Sequence, residues 1–453
     1  SARNEYESFE IVVAPDNGHA PLRGVGIEFA DLISKRARIG REKMRCYVMG
    51  GIGSKSDVLF PYNSFWSIMA RQRINAAQSF WVTVYVPPDA ESGNYRGKLR
   101  ITTKNSGSVN IGLRLRVWDF ELPMQMHLKT HFMMKHQELR ELYLSLPDEL
   151  FEETIFRYRV NSAEHRVSGQ GNVAFPFRII GGNRALSNLR RFDRDMNFLT
   201  NLGLNVYCLH LIDIEPHIDH TAFSYLLGRL QSHLMRKNWL DLAYLHLGNC
   251  HLTLRSQAEL AKRASPGIKV VAEASGPREL SGRESLVDTW IIDCCRHHIE
   301  NLNGLLRGRG EVWLDGACKN GRHGPLCWHH EQVDIRKTFW RMWSIGMRGL
   351  VYDFALPTTR SREPLIYTWE EGILNSVRWE IIRDGIEDYE YLSLLEESVG
   401  SPKGAGSMDR IQRRASKLLR GIRAKGGPMD LADAREEIAA ILEAYRAGAS
   451  SES

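Results

Sequence analysis

Six acidic residues close or directly follow short apolar runs in the middle of the chain. Asp213 and Glu215 follow NVYCLHL, Glu273 stands in IKVVAEA, Asp293 in TWIIDC, Asp315 in VWLDG and Asp353 in GLVYDFA. A carboxylate ending an apolar strand is costly to bury unless it is paired or used. Several such groups converging on one mouth suit hydrolysis, in which one carboxyl protonates a leaving oxygen while another attacks or activates water. Asp315 and Asp353 lead, each preceded within two positions by an aromatic residue, and Glu273 is the third candidate. The structural alternative for each acid is an ion pair with a neighbouring Arg or the cap of the following helix.

Other residue types near these run ends fit a polyhydroxylated ligand. Trp290, Trp313, Tyr352 and Tyr367 offer flat apolar faces to a pyranose ring, while Arg166 and His210 offer hydroxyl-binding groups. Trp340 and Trp343, at helical spacing, read as core. The loops also hold Cys250-His251, Cys294-Cys295, His297-His298, Cys318, His323, Cys327 and His329-His330. These soft ligands suit zinc, but they lack CxxC or HxxxH spacing, so neither a metal nor any other cofactor is expected. A Cys250 nucleophile beside a histidine is a further, weaker option.

These residues need a frame. Up to about residue 120, strand-like runs (Phe9 to Val13, Phe80 to Val86, Tyr95 to Thr103, Val109 to Trp118) alternate with turns and predict an antiparallel β-sandwich. From His127 onward, eight apolar runs separated by helical segments predict a (β/α)8 TIM-type barrel. They are His127–Met134, Tyr158–Val167, Asn205–Leu211, Leu242–Gly248, Ile268–Ala274, Thr289–Cys294, Val312–Gly316 and Gly349–Ala355. A loop carrying Tyr367 and Trp369 then leads to the helical stretch SVRWEIIRDGIEDYEYL, whose acids read as a solvated or Arg-paired surface outside the barrel. The expected fold class is α/β: sandwich over 1–122, barrel over 123–398 and a helical C-terminal extension over 399–453.

Composition bounds the partners. The chain has 453 residues, 43 % of them hydrophobic and 25 % charged, with 60 Lys+Arg against 54 Asp+Glu and a net charge of +6. Basic residues are spread along the chain and form no patch with a reading element, so no nucleic acid partner is expected. Without a run of about 18 uncharged apolar residues, no membrane span is expected either. The seven cysteines form no disulfide framework of the small secreted kind. Oligomeric state is not legible.

Four segments, WVTVYVPPDAESGNYRGKLRI, VWLDGAC, RKTFWRMWSIGMRGLVYDFA and SVRWEIIRDGIEDYEYL, resemble glycoside hydrolase family 123 and its relatives carrying domain of unknown function 4091, in the same order over nearly the whole chain. The resemblance implies a sandwich before a barrel, an exo-acting glycosidase, a carbohydrate substrate and an extracytoplasmic location. It also implies an Asp-Glu pair after the fourth barrel strand, the Asp holding the substrate's acetamido group and the Glu serving as acid/base. Here that position reads Asn249-Cys250. Asn249 can bind an amide, but a thiol near pKa 8.5 is a poor glycosidic acid. The family mechanism therefore does not transfer, and relocated strand-end carboxylates are expected to cleave the glycosidic bond of an oligo- or polysaccharide. The alternative is a non-catalytic carbohydrate-binding or scaffold protein.

Overall fold

The computed structural model describes residues 1–16, 20–52, 55–63, 73–132, 136–168, 177–180, 184–187, 189–210, 220–247, 254–274, 285–293, 310–317, 324–327, 329–352, 364–369, 372–400, 407–428 and 430–452. It is a mixed α/β structure with antiparallel sheets and a nearly closed seven-stranded parallel barrel. Contacts divide it into two units, Ser1–Pro123 with Leu365–Gly421 and Pro428–Ser453, and Met124–Pro364 with Ile422–Gly427.

In the first unit, the period-two run Gly93–Thr103 forms a strand that buries alternate side chains, while Gln78–Val86, a central strand, buries Phe80 to Val84 on both faces. One antiparallel sheet has six strands and another five. Their apolar faces share a core in which Ile11, Val48, Phe80 and Val82 of the first meet Ile27, Leu99 and Ile101 of the second. The segment expected to be a loop is instead a strand pair, Ile366–Trp369 and Gly372–Ser376. It extends the six-stranded sheet through the pairing of Asn375 with Leu59.

The helix Val377–Gly400 belongs to this unit, whereas the sequence reading carries the barrel segment to residue 398. Of the two settings expected for its acids, solvated or Arg-paired, Arg pairing is found, but in a buried setting and not on a surface. Glu380, Arg383, Asp384, Glu387, Asp388 and Glu390 are all buried. Arg383 lies 2.6 Å from Glu380 and 3.3 Å from Asp384 and donates to Ser8 Oγ at 2.9 Å. Buried charges persist only when paired in this way.

The second unit holds the parallel strands Lys129–Phe132, Tyr207–His210, Ala243–His246, Lys269–Ala274, Thr289–Asp293, Glu311–Asp315 and Gly349–Tyr352. Seven of the eight predicted runs thus contain strands. The second does not: Tyr158–Val167 falls largely in the helix Asp148–Glu164, where Phe151, Ile155, Tyr158 and Ser162 are buried at helical spacing. Among the described residues no strand lies between Lys129–Phe132 and Tyr207–His210, and side chains link the two there. Asn205 Nδ2 donates to the carbonyls of Met126 at 2.8 Å and Leu128 at 2.7 Å. Ser168 Oγ donates to Asn205 Oδ1 at 2.7 Å, and the Ser168 amide donates to Thr130 Oγ1 at 2.9 Å.

Candidate active site

Side chains of a β-strand alternate between faces, so residues two apart share one. The barrel interior is packed by Val206, Cys208, Tyr244, Val271, Ile291, Trp313 and Val351. Continuing each strand by two places His210, His246, Glu273, Asp293 and Asp315 on that same inner face, at or beside the C-terminal ends. His131, the register partner of Val351, joins them. The opposite parity, including Leu209, Leu245, Ala272, Ala274 and Trp290, packs toward helices. One period-two rule therefore puts imidazoles and carboxylates of six strands at the end where barrel sites are built.

Contacts join these groups into a row. His131 Nε2 lies 3.0 Å from His210 Nε2, with the rings stacked at 5.1 Å between centroids. His210 Nδ1 lies 2.9 Å from His246 Nδ1. His246 Nε2 stands 3.4 Å from Glu273 Oε1, within ion-pair range but not aligned as a hydrogen bond. On the other side, Asp293 and Asp315 are register partners on adjacent strands. Asp315 is 2 % exposed and its Oδ1 accepts from the Ala317 amide at 3.1 Å.

The opposite end of the barrel is closed by a satisfied ion cluster. Lys129 Nζ lies 2.8 Å from both carboxylate oxygens of Glu311, and Trp313 Nε1 donates to Glu311 at 2.8 Å. Burial pushes the Lys129 ammonium below its ordinary value against the pull of Glu311. It drives the Tyr244 hydroxyl far above its own, with Glu311 adding to the effect. Burial likewise raises the Cys208 thiol, which stays an inert part of the core.

Glu273, Asp315 and His210 of the expected site therefore stand together at the inner strand ends. Trp313 is on the inner face but fully buried one layer below, against Gly349. Trp290, in the helix-facing core, and Tyr352, stacked on Phe132 at 5.5 Å, take the other face, contrary to the expectation of sugar platforms. Tyr367 belongs to the first unit, where its hydroxyl donates to Asp57 at 3.0 Å. Arg166 is buried just past the helix Asp148–Glu164, with a left-handed φ of 62°.

Asp353, Asn249, Cys250, Asp213 and Glu215 lie outside the described residues, as do Cys294, Cys295, Cys318 and His323. Cys327 is disulfide-bonded, which removes it from a thiolate ligand set. Among the described residues no group of three or more His, Cys, Asp or Glu is arranged to hold a metal ion. Sequence reasoning missed His131 and His246. The available signal was parity, since Tyr244–His246 repeats the spacing Cys208–His210.

A parallel barrel with acids and imidazoles at its C-terminal strand ends has them where barrel enzymes build their sites. No protein-family model and no curated protein matches the chain. Among solved structures, it is similar to a family 123 glycoside hydrolase from Clostridium perfringens, studied for glycolipid glycan hydrolysis. That likeness has a TM-score of 0.67 at 14 % identity and covers 98 % of this chain and 92 % of that one. At that level the two chains share a fold. A family 39 glycoside hydrolase from Bacteroides cellulosilyticus WH2 matches at 11 % identity and TM-score 0.35, covering 80 % of this chain and 81 % of that one, a level that defines no common fold.

Proposed function

We propose that the chain is a glycoside hydrolase whose acid/base and nucleophilic or water-activating groups are strand-end carboxylates. They are drawn from Glu273, Asp315 and Asp353, with Asp293 added by its register beside Asp315. The single observation that carries this reading is the convergence of Glu273, Asp293 and Asp315 on one inner face of a barrel, in a fold shared with a glycosidase. One carboxyl gives its proton to the leaving oxygen as the glycosidic C–O bond breaks. A second carboxylate bonds to the anomeric carbon, or takes a proton from the water that does.

Arg166, His210 and Asn249 are the proposed hydroxyl- and amide-binding groups. In the finer architecture the first unit's two antiparallel sheets form a sandwich, and the parallel sheet is a (β/α)8-type barrel whose second position is spanned, among the described residues, by the Ser168–Asn205 bridge. Exo action on a carbohydrate chain and an extracytoplasmic location complete the reading. No helix among the described residues is long and apolar enough to cross a membrane.

The test is hydrolysis of a panel of 4-nitrophenyl N-acetylhexosaminides, hexosides and pentosides by wild type, Glu273→Gln, Asp315→Asn and Asp353→Asn. Loss of an acid/base carboxyl is expected to lower kcat on the order of 10²- to 10⁴-fold with folding retained. Full activity in all three amide variants overturns the assignment. No turnover by wild type, with glycans raising its melting temperature, transfers the chain to the carbohydrate-binding class.

A further inference from the structure

The row His131–His210–His246–Glu273 goes beyond the assignment of carboxylates, and it deepens that reading by fixing the role of one of them. A neutral imidazole has one N–H and one lone pair, so rings joined nitrogen to nitrogen can order their protons in one of two directions only. The end group selects the direction. The ionised carboxylate of Glu273, 3.4 Å away but not aligned to accept a hydrogen bond, repels a lone pair at His246 Nε2 and so favours a proton there, leaving His246 Nδ1 as the lone pair. His210 must then donate from Nδ1 across 2.9 Å, which leaves its Nε2 to accept from His131 Nε2 across 3.0 Å.

The geometry does not suit one metal ion shared by the three rings. Ligand nitrogens of a mononuclear site converge on a point about 2.0–2.1 Å from each. His210 instead meets His131 through Nε2 and His246 through Nδ1, on opposite sides of its ring. The neighbours below and beside the row are Cys208 and Tyr244 of the inner core and Asp293 and Asp315 of the next strands.

We propose that His131, His210 and His246 are positioning residues that aim one ordered line of protons at Glu273 and hold it as a proton-accepting carboxylate. Glu273 is then the base or nucleophile. The acid must come from another strand, with Asp315 and its neighbour Asp293 the described candidates. This rests on the proposed hydrolase reading for its chemistry, but the proton order itself does not depend on any substrate.

The experiment is long-range ¹H–¹⁵N correlation spectroscopy of the full chain labelled with ¹⁵N-histidine, at a pH above the ordinary imidazole value of about 6.5. Resonances are assigned by the single changes His131→Gln, His210→Gln and His246→Gln. The expected result is Nε2–H for His131 and His246 and Nδ1–H for His210. In Glu273→Gln the end group can donate as well as accept, so His210 is expected to populate both tautomers. Nε2–H or an imidazolium at His210 in the wild type overturns the proposal, as does an unchanged pattern in Glu273→Gln. The expected order in a protein that hydrolyses no glycoside supports the ordered row and overturns the hydrolase reading alone.

Discussion

Replacing Asn205 by Ala probes the side-chain bridge between the barrel strands Lys129–Phe132 and Tyr207–His210. The Asn205 side chain is 6 % exposed as a residue and donates to the Met126 and Leu128 carbonyls at 2.8 and 2.7 Å. It also accepts from Ser168 Oγ at 2.7 Å and from the Thr130 amide at 3.4 Å. Truncation removes three short hydrogen bonds worth about 1 kcal/mol each net, and strands two buried carbonyls that cost more when unpaired. The sum is about 3–5 kcal/mol. At roughly 2–4 °C per kcal/mol for a unit of this size, melting should fall on the order of 10 °C.

The assay pairs calorimetry with hydrogen exchange read by mass spectrometry on peptides covering 126–132 and 205–210, whose amides should lose protection first. Ser168→Ala should cost less, about 1–2 kcal/mol, because the bonds to the carbonyls survive. The double variant should cost less than the sum of the two singles, since they share a bond. A loss under about 1 kcal/mol in Asn205→Ala, with exchange unchanged in both peptides, refutes the bridge as the link between these strands.

Three other perturbations follow from the packing. Asp57→Ala leaves the buried Arg378 guanidinium, which reaches Asp57 at 2.8 and 3.1 Å, without its carboxylate. The first unit should lose about 3–5 kcal/mol in urea unfolding, and a loss near zero contradicts the pairing. Gly349→Ala sets a Cβ 2.4 Å from the Trp313 ring, so overpacking should cost about 1–3 kcal/mol. Trp313→Leu in the same chain should recover part of that loss, and no recovery would place the strain elsewhere. Burial alone would raise the Asp193 carboxyl, but hydrogen bonds from Lys237 and His233 override it and hold the group below its ordinary 3.8. A depressed carboxyl stabilises the fold above its unfolded value and loses that contribution as pH falls through its folded one. Asp193→Asn should therefore lower stability at neutral pH and converge with wild type in acid, whereas a deficit independent of pH contradicts the assignment.

Much of the frame was legible because short apolar runs between helical segments mark parallel strands, and seven of the eight barrel runs contain them. The Tyr158–Val167 run misled because a short apolar run is ambiguous when read alone, while the helix-spaced Phe151, Ile155 and Tyr158 lie mostly upstream. The strands at 366–376 pair with each other as a short hairpin that reads as a loop when taken alone, and the attachment of Asn375 and Ser376 to Lys55–Pro61, some 300 residues away, leaves no local mark. Within the site, Glu273 and Asp315 were found by strand-end position. Trp290 and Tyr352 were chosen for ring type without regard to parity, and the same omission passed over His131 and His246.

The central claim is that the inner strand ends bind a sugar and cleave its glycosidic bond. A crystal structure of Glu273→Gln soaked with a sugar that wild type hydrolyses tests it most directly. The account predicts the anomeric carbon over the inner strand ends, with residue 273 and one of Asp293, Asp315 or Asp353 on opposite sides of the scissile bond. Carboxyl groups about 5–5.5 Å apart would go with retention and about 6.5–9.5 Å with inversion. A sugar bound away from these strand ends, or with its anomeric carbon out of reach of residue 273 and of all three aspartates, contradicts the account.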